Sequence, residues 1–124
     1  MKTIQTDQAP AAVGPYSQAV VHQGILYASG QIGLDPTTGL LVGDDVSSQT
    51  TRLMQNLSAV LQAADADKTS IIKVNIYLVN MGDFAQVNTL YATWLGDHRP
   101  ARATVAVAAL PLGAKVEMDV IAHV

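Results

Sequence analysis

The first third of the chain alternates between short apolar runs and turn residues. Residues 25–32, ILYASGQI, predict a short strand that ends at Ser-Gly. The preceding segment QAVVH, residues 18–22, predicts its partner, with HQG as the turn of a hairpin. Residues 33–45 are rich in turn formers, with Pro36, Gly39 and Gly43 as breakers, so we expect no long element there.

The spacing of the apolar residues then changes to that of a helix. Seven residues recur at this spacing: Val46, Thr50, Leu53, Leu57, Val60, Leu61 and Ala64. Asp44 or Asp45 stands where an N-cap is needed. A second helix is predicted from Asp83, and its apolar stripe consists of Phe84, Val87, Tyr91, Trp94 and Leu95.

Three further segments have the alternation of strands. Residues 70–80 are rich in β-branched side chains, and their apolar face is predicted to hold Ile72, Val74, Ile76 and Leu78. Two closing strands are predicted at about 102–110 and 115–123, joined by PLGA.

This order of elements predicts an α+β fold with two helices on one face of a sheet. Residues 1–124 form one domain by size. Both faces of ATVAVAAL, residues 103–110, are apolar and should be covered, but two helices cover only one side of a sheet. Association with further subunits is the simplest cover for the other side.

The composition supports association and argues against several partners. Only 14% of the residues are charged, against about a quarter in an average soluble protein. The net charge is −3 and the seven basic residues are scattered, so we expect neither nucleic acid nor an acidic membrane surface as partner. The absence of cysteine excludes disulfides and thiolate chemistry. With no signal-like or membrane-spanning run, a cytoplasmic protein is expected.

Arg102 and Glu117 interrupt the two apolar closing strands. Pattern alone favours a solvent-exposed strand end for Arg102, although small side chains on its face leave room for a ligand. Glu117 is the only glutamate and shares its face with Lys115 and Asp119, which is typical of a solvated face.

Other polar residues stand out less. Gly14-Pro15 should form a turn that presents Tyr16 rigidly, and Ser29-Gly30 offers a hydroxyl and an unobstructed backbone. Asn88 falls on the apolar stripe of the second helix and must be hydrogen-bonded, so we expect a local structural tie, and one that can also face a cleft. His22, His98 and His123 lie too far apart for a metal motif, and GQIG is not a phosphate loop, so no metal or cofactor is expected.

GPYSQA, SGQI, VNIYLVNMGDFAQVNTLY and above all RPARATVAVAALPLGAKVEMDVIA resemble the Rid family, the reactive-intermediate (enamine/imine) deaminases. The resemblance covers nearly the whole chain. It implies a chorismate-mutase-like fold with a mixed sheet and a homotrimer with active sites between subunits. It also implies hydrolysis of 2-iminobutanoate or 2-iminopropanoate to the 2-oxo acid and ammonia.

The resemblance also implies roles for individual residues. Arg102 would bind the substrate carboxylate and Glu117 would position water, with Tyr16 and Ser29 lining the cleft as part of the catalytic set. The positive charge of Arg102 nearby would keep the Glu117 carboxylate ionised. General acid–base catalysis accelerates such a reaction by about 10²–10⁴-fold. Because the imine carbon is already electrophilic, the hydrolysis needs little more than this, and no cofactor is expected.

Asn88, Gly30 and Thr104 would complete the substrate-binding set. Thr104 is a departure, since typical deaminases have a cysteine there, and the loop WLGDHRPAR is shorter than in typical members. The alternative interpretation is therefore a non-catalytic trimer of the same family that binds or senses a small carboxylate. An RNA-acting protein ranks third, because the basic residues are scattered.

Overall fold

The computed structural model describes all residues from 1 to 124 and contains six strands and two long helices. The strands are β1 (Lys2–Ile4), β2 (Ala19–His22), β3 (Ile25–Ala28), β4 (Ile71–Leu78), β5 (Ala101–Ala106) and β6 (Val116–His123). The helices are α1 (Val46–Ala63) and α2 (Phe84–Leu95). The predicted hairpin, both helices and the N-cap at Asp45 are confirmed, the last by a hydrogen bond from the Ser48 N–H.

The strands form one mixed sheet in the order β1-β2-β3-β6-β4-β5. Only the β4–β5 pair is parallel, and α2 makes the crossover between these two strands. One face of the sheet packs against both helices and forms a core of 21 buried residues, among them Val74, Ile76 and Met118. The predicted α+β class is confirmed, and neither helix is both long and apolar enough to cross a bilayer.

Three details differ from the sequence prediction. Strand β1 was not predicted, because three residues are too few to show a period. Ile72 was placed on the buried face of β4 but is 43% exposed, because an irregularity between Ile71 and Lys73 shifts the register and turns Ile71 inward. Strand β5 stops at Ala106 rather than near 110, because its neighbour β4 ends at Leu78.

Strand β5 lies at the edge of the sheet and is largely uncovered within one chain. Five of its six residues are exposed, including Val105 at 47%. The prediction that both faces of this segment are covered is therefore not met by the chain's own helices.

Candidate active site

Helix α2 presents three side chains to Arg102 on the exposed edge strand. Phe84, Asn88 and Tyr91 lie at i, i+4 and i+7 and so share one side of the helix. The Arg102 Nη1 donates to the Asn88 Oδ1 at 2.6 Å. The Arg102 Cζ lies 5.4 Å from the centre of the Phe84 ring and 5.2 Å from that of Tyr91. One hydrogen bond and two cation–π contacts therefore hold the guanidinium in place.

This arrangement explains the asparagine on the apolar stripe of the second helix. Asn88 is the hydrogen-bond acceptor that orients Arg102, so it is a structural tie that also lies beside a cavity, as expected. Sequence reasoning missed the two rings, because core aromatics and aromatics that carry a cation have the same helical spacing.

A cavity of about 540 Å³ opens beside Arg102. Its lining consists of Asn88, Tyr91, Ala92, Arg99, Pro100 and Arg102. A cavity of about 560 Å³ between the two helices, bordered by Arg52 and Trp94, includes none of the predicted site residues. The cavity beside Arg102 is therefore the one that can hold a ligand of this site.

Thr104 lies on the same face of β5 as Arg102, next to the core. It pairs with Ile76 in the neighbouring strand, and its Oγ1 is buried with no hydrogen-bond partner. The Tyr91 hydroxyl is also buried without a partner. Two unpartnered hydroxyls close to Arg102 are unusual, because buried polar atoms are nearly always hydrogen-bonded.

Glu117 lies on the opposite face of the sheet from Arg102. In the ladders around β4, Tyr77 pairs with Glu117, whereas Val74 pairs with Arg102. Because neighbours along a strand point to opposite faces, Tyr77 and Val74 face different sides, and so do their partners. Within one chain the structure does not bring together Arg102 and Glu117, two of the four predicted catalytic residues.

Glu117 packs directly over Gly30. A Cβ atom at residue 30 would lie 2.8 Å from the Glu117 Cδ, so the glycine is what allows this close approach. Gly30 was predicted in the substrate-binding set with Arg102, Asn88 and Thr104, but within one chain it lies beside Glu117, on the opposite face of the sheet from Arg102.

An aspartate network lies beside Glu117 on the same face. Asp119 accepts hydrogen bonds from the Asn75 Nδ2 at 2.8 Å and the Tyr77 hydroxyl at 2.9 Å. Burial, and then the charge of Asp119, raise the pKa of Glu117 above its ordinary value. Within one chain Arg102 lies across the sheet, so the expectation that a nearby arginine keeps Glu117 ionised stays a prediction for a site shared between copies.

Ser29 and Tyr16 are held by local contacts. The Ser29 Oγ donates to the Ser17 carbonyl at 2.6 Å, which ties the GPYS turn to the end of β3 next to Gly30. Tyr16 is 53% exposed, and its hydroxyl accepts from the Val13 N–H at 3.3 Å. Ser29 thus borders the Glu117 region through Gly30, whereas the hydrogen bond of Tyr16 stays in its own turn.

The same turn contains a residue that sequence reasoning did not single out. Gln18 is buried, accepts from the Thr6 N–H and donates to the Pro10 carbonyl, both at 2.8 Å. Its role is to fasten the N-terminal segment. The structure brings no three histidine or carboxylate side chains together in a way that could hold a metal ion.

A family model described as endoribonuclease L-PSP matches residues 6–124. Proteins similar to this chain include some named as Rid proteins and as imine deaminases. The chain belongs to the Rid family. The α+β architecture is accordingly that of solved Rid structures, and the resemblance noted from the motifs is confirmed.

Individual Rid relatives carry different names. The 2-iminobutanoate/2-iminopropanoate deaminase of Rattus norvegicus is 44% identical, over 98% of this chain and 88% of its own. AldR of Lactococcus lactis, which is named as a candidate regulator, is 45% identical over 100% of this chain and 98% of its own. YyfA of Yersinia pestis, a Rid protein of unknown function, has a TM-score of 0.97 at 48% identity, covering 99% of this chain and 98% of its own.

Proposed function

We propose that this Rid protein hydrolyses small 2-imino acids, 2-iminobutanoate and 2-iminopropanoate, to 2-oxo acids and ammonia. The observation that carries the proposal is the Arg102 guanidinium, which Asn88, Phe84 and Tyr91 hold beside an open cavity. The deaminase name of the rat relative supports the same chemistry.

Arg102 suits the carboxylate of an imino acid. A guanidinium binds a carboxylate through two parallel hydrogen bonds and so fixes both its position and its plane. Asn88 occupies Nη1, and the rings restrict tilting, so the remaining N–H groups of Arg102 can meet the carboxylate in one orientation. Fixing that plane also fixes the direction from which water reaches the adjacent imine carbon.

Glu117 suits the proton transfers of the hydrolysis. Its carboxylate takes a proton from the attacking water as the oxygen bonds to the imine carbon, and returns a proton to the nitrogen that leaves as ammonia. A pKa raised by burial strengthens the carboxylate as a base near neutral pH. Gly30 supports this role by leaving room for the side chain. In the proposed site Ser29 and Tyr16 border the water side, and Thr104 forms part of the floor beside Arg102.

Two copies of the chain are needed for this reaction. Arg102 and Glu117 face opposite sides of one sheet, so the glutamate that serves a given arginine comes from a neighbouring copy. A homotrimer with three equivalent shared sites satisfies this requirement and also covers the exposed edge strand β5. The Arg102 charge of one copy would then oppose the rise in the pKa of Glu117 of the next.

A second candidate is a non-catalytic trimer that binds or senses a small carboxylate. The observations that favour it are Thr104, in place of the usual cysteine, and the name of AldR. In that case the Arg102 cavity still binds a carboxylate, but Glu117 does no chemistry. An RNA-acting protein is suggested by the description of the family model, endoribonuclease L-PSP, but the net charge of −3 and the scattered basic residues argue against it.

The experiment that separates these candidates is a dehydratase-coupled assay on the wild-type protein. Threonine and serine serve in turn as precursors of 2-iminobutanoate and 2-iminopropanoate, and the release of the 2-oxo acid is followed. Deaminase activity predicts faster release than in a protein-free control, in proportion to the protein added. No acceleration with either imine, together with saturable binding of 2-oxobutanoate, would favour the binding protein.

A further inference from the structure

A second arginine borders the cavity that contains Arg102. Arg99 lies just before Pro100 in the connection between α2 and β5 and lines the same cavity. Its Nη1 donates to the carbonyls of Gly96 and His98, the latter at 2.9 Å. The other nitrogens of this guanidinium make no hydrogen bond within the protein, so they are available to a ligand.

The loop that carries Arg99 is fastened at several points. Gly96 ends α2 with a φ of 63°, and its N–H donates to the Ala92 carbonyl. The His98 Nε2 lies 2.7 Å from the Ile71 carbonyl at the start of β4. Pro100 then restricts the entry into β5. The backbone of Arg99 is therefore held at the rim of the cavity.

The two guanidinium groups have only neutral partners. Arg102 donates to an amide oxygen and Arg99 donates to backbone carbonyls, so no carboxylate of the protein hydrogen-bonds to either charge. Both charges lie near Tyr91, since each opposes the rise that burial causes in the pKa of this tyrosine. Within one chain the lining of this cavity thus has two cations and no carboxylate, an arrangement that attracts a ligand with two negative charges.

We propose that this cavity takes 2-imino dicarboxylic acids, the imines related to aspartate and glutamate. Arg102 binds the carboxylate next to the imine carbon, and Arg99 binds the carboxylate at the other end. Three residues of extended chain span at most about 10 Å, so two arginines that line one cavity at this separation suit the carboxylates at the two ends of a chain of four or five carbons.

The inference rests on the proposed function and specifies its substrate. The reaction is the same hydrolysis: the oxygen of water bonds to the imine carbon, the carbon–nitrogen bond breaks, and ammonia leaves a 2-oxo dicarboxylic acid. No oxidant or reductant is consumed. The second carboxylate takes no part in the chemistry and contributes only binding and selectivity.

The test compares imines with one and two carboxylates. Amino acid oxidases generate the imines of alanine, 2-aminobutanoate, aspartate and glutamate in the presence of semicarbazide, and the protein's activity is read as the loss of semicarbazone. We expect wild type to have a higher kcat/KM for the dicarboxylic imines. Arg99→Gln should lower the ratio of dicarboxylic to monocarboxylic kcat/KM by about tenfold or more, since a charge-assisted pair is lost. Arg99→Lys keeps the charge and should retain part of that ratio.

Arg52→Gln is the matched control, since Arg52 lies on α1 outside this cavity. It should leave the ratio unchanged. Calorimetric binding of 2-oxoglutarate and 2-oxobutanoate to wild type and Arg99→Gln gives a readout independent of turnover, and thermal melting checks that the variants are folded.

The outcomes distinguish the inference from the proposed function. Hydrolysis of monocarboxylic imines with an unchanged ratio in Arg99→Gln would overturn the inference and keep the function. No hydrolysis of any imine, with dicarboxylate binding that depends on Arg99, would overturn the function and keep the two-arginine site. Neither hydrolysis nor Arg99-dependent binding would overturn both.

Discussion

The two faces of the sheet carry the two halves of the candidate site in different ways. On the helix face, Arg102 is exposed, and three side chains of α2 hold it in one orientation. On the face away from the helices, Glu117 is partly buried, and its neighbour Asp119 also carries a negative charge. One face thus offers a fixed cation and the other a carboxylate that ionises reluctantly. The Arg102 face lacks a carboxylate that can act as a base, and the Glu117 face lacks a cation that can bind the substrate. Sites shared between copies would bring the two groups together.

The largest expected effect comes from removing the cation. Arg102→Ala and Arg102→Lys should both lower kcat/KM for 2-iminobutanoate by at least about 100-fold, because alanine loses the charge and lysine loses the planar, bidentate contact. The dehydratase-coupled assay measures this loss. Size-exclusion chromatography should show the same assembly as wild type. Full activity in Arg102→Ala would refute the role of Arg102 as carboxylate anchor.

Mixing two inactive variants tests directly whether the halves come from different copies. If the protein forms the proposed homotrimer, Arg102→Ala and Glu117→Gln should each be inactive when assembled alone. In randomly mixed trimers about a quarter of the interfaces pair an intact arginine with an intact glutamate, so about a quarter of the wild-type rate should return. A site contained within one chain would give no recovery at all.

A smaller loss should follow from disturbing the carboxylate without removing it. In Gly30→Ala the new Cβ would meet the Glu117 side chain at 2.8 Å and push it aside. We expect kcat to fall about tenfold, a partial loss of general-base help, while KM changes little. Gly39→Ala is the matched control: its φ of 73° makes alanine strained, but no atom lies within 4 Å. That control should lose stability without losing turnover.

Changing the charge beside Glu117 should move the pH profile rather than the maximal rate. Glu117 must be ionised to accept a proton, so kcat/KM falls as the pH drops through its pKa. Asp119 raises that pKa, and therefore Asp119→Asn should shift the acidic limb of the profile to lower pH. Asparagine can still bond to Asn75 and Tyr77, which keeps the network. A shift to higher pH would mean that Asp119 acts through structure instead of charge.

The helices and strands were predicted more completely from the sequence than the candidate site was. Helix period and strand alternation predicted α1, α2 and β4 well, because these elements bury one clear face. The same pattern misplaced Ile72, since a local irregularity after Ile71 leaves no mark in the order of apolar residues. Strand β5 was predicted too long, because apolar residues continue in the sequence beyond the point where the neighbouring strand β4 ends.

For the site, pattern alone assigned Arg102 and Glu117 to solvated positions, and only the family motifs singled them out. Strand parity does imply that Arg102 shares a face with Thr104, and the register confirms it. No sequence rule shows which face of the sheet each residue occupies, because that depends on how β4 pairs with β5 and β6. The rings around Arg102 and the approach of Glu117 to Gly30 arise from tertiary packing.

The smallest effect concerns stability and distinguishes two threonines whose hydroxyls are both buried. The Thr104 Oγ1 has no partner, whereas the Thr50 Oγ1 donates to the Val46 carbonyl at 2.7 Å. Replacing a buried, unsatisfied hydroxyl by a methyl group removes a penalty, while removing a satisfied one loses a hydrogen bond. Thr104→Val should therefore raise the free energy of unfolding by about 1 kcal/mol, and Thr50→Val should lower it by about 1 kcal/mol. In thermal melting the two variants should move in opposite directions, each by roughly 4 °C. A lower melting temperature for Thr104→Val would mean that this hydroxyl finds a partner in the assembled protein, on the face that Arg102 shares.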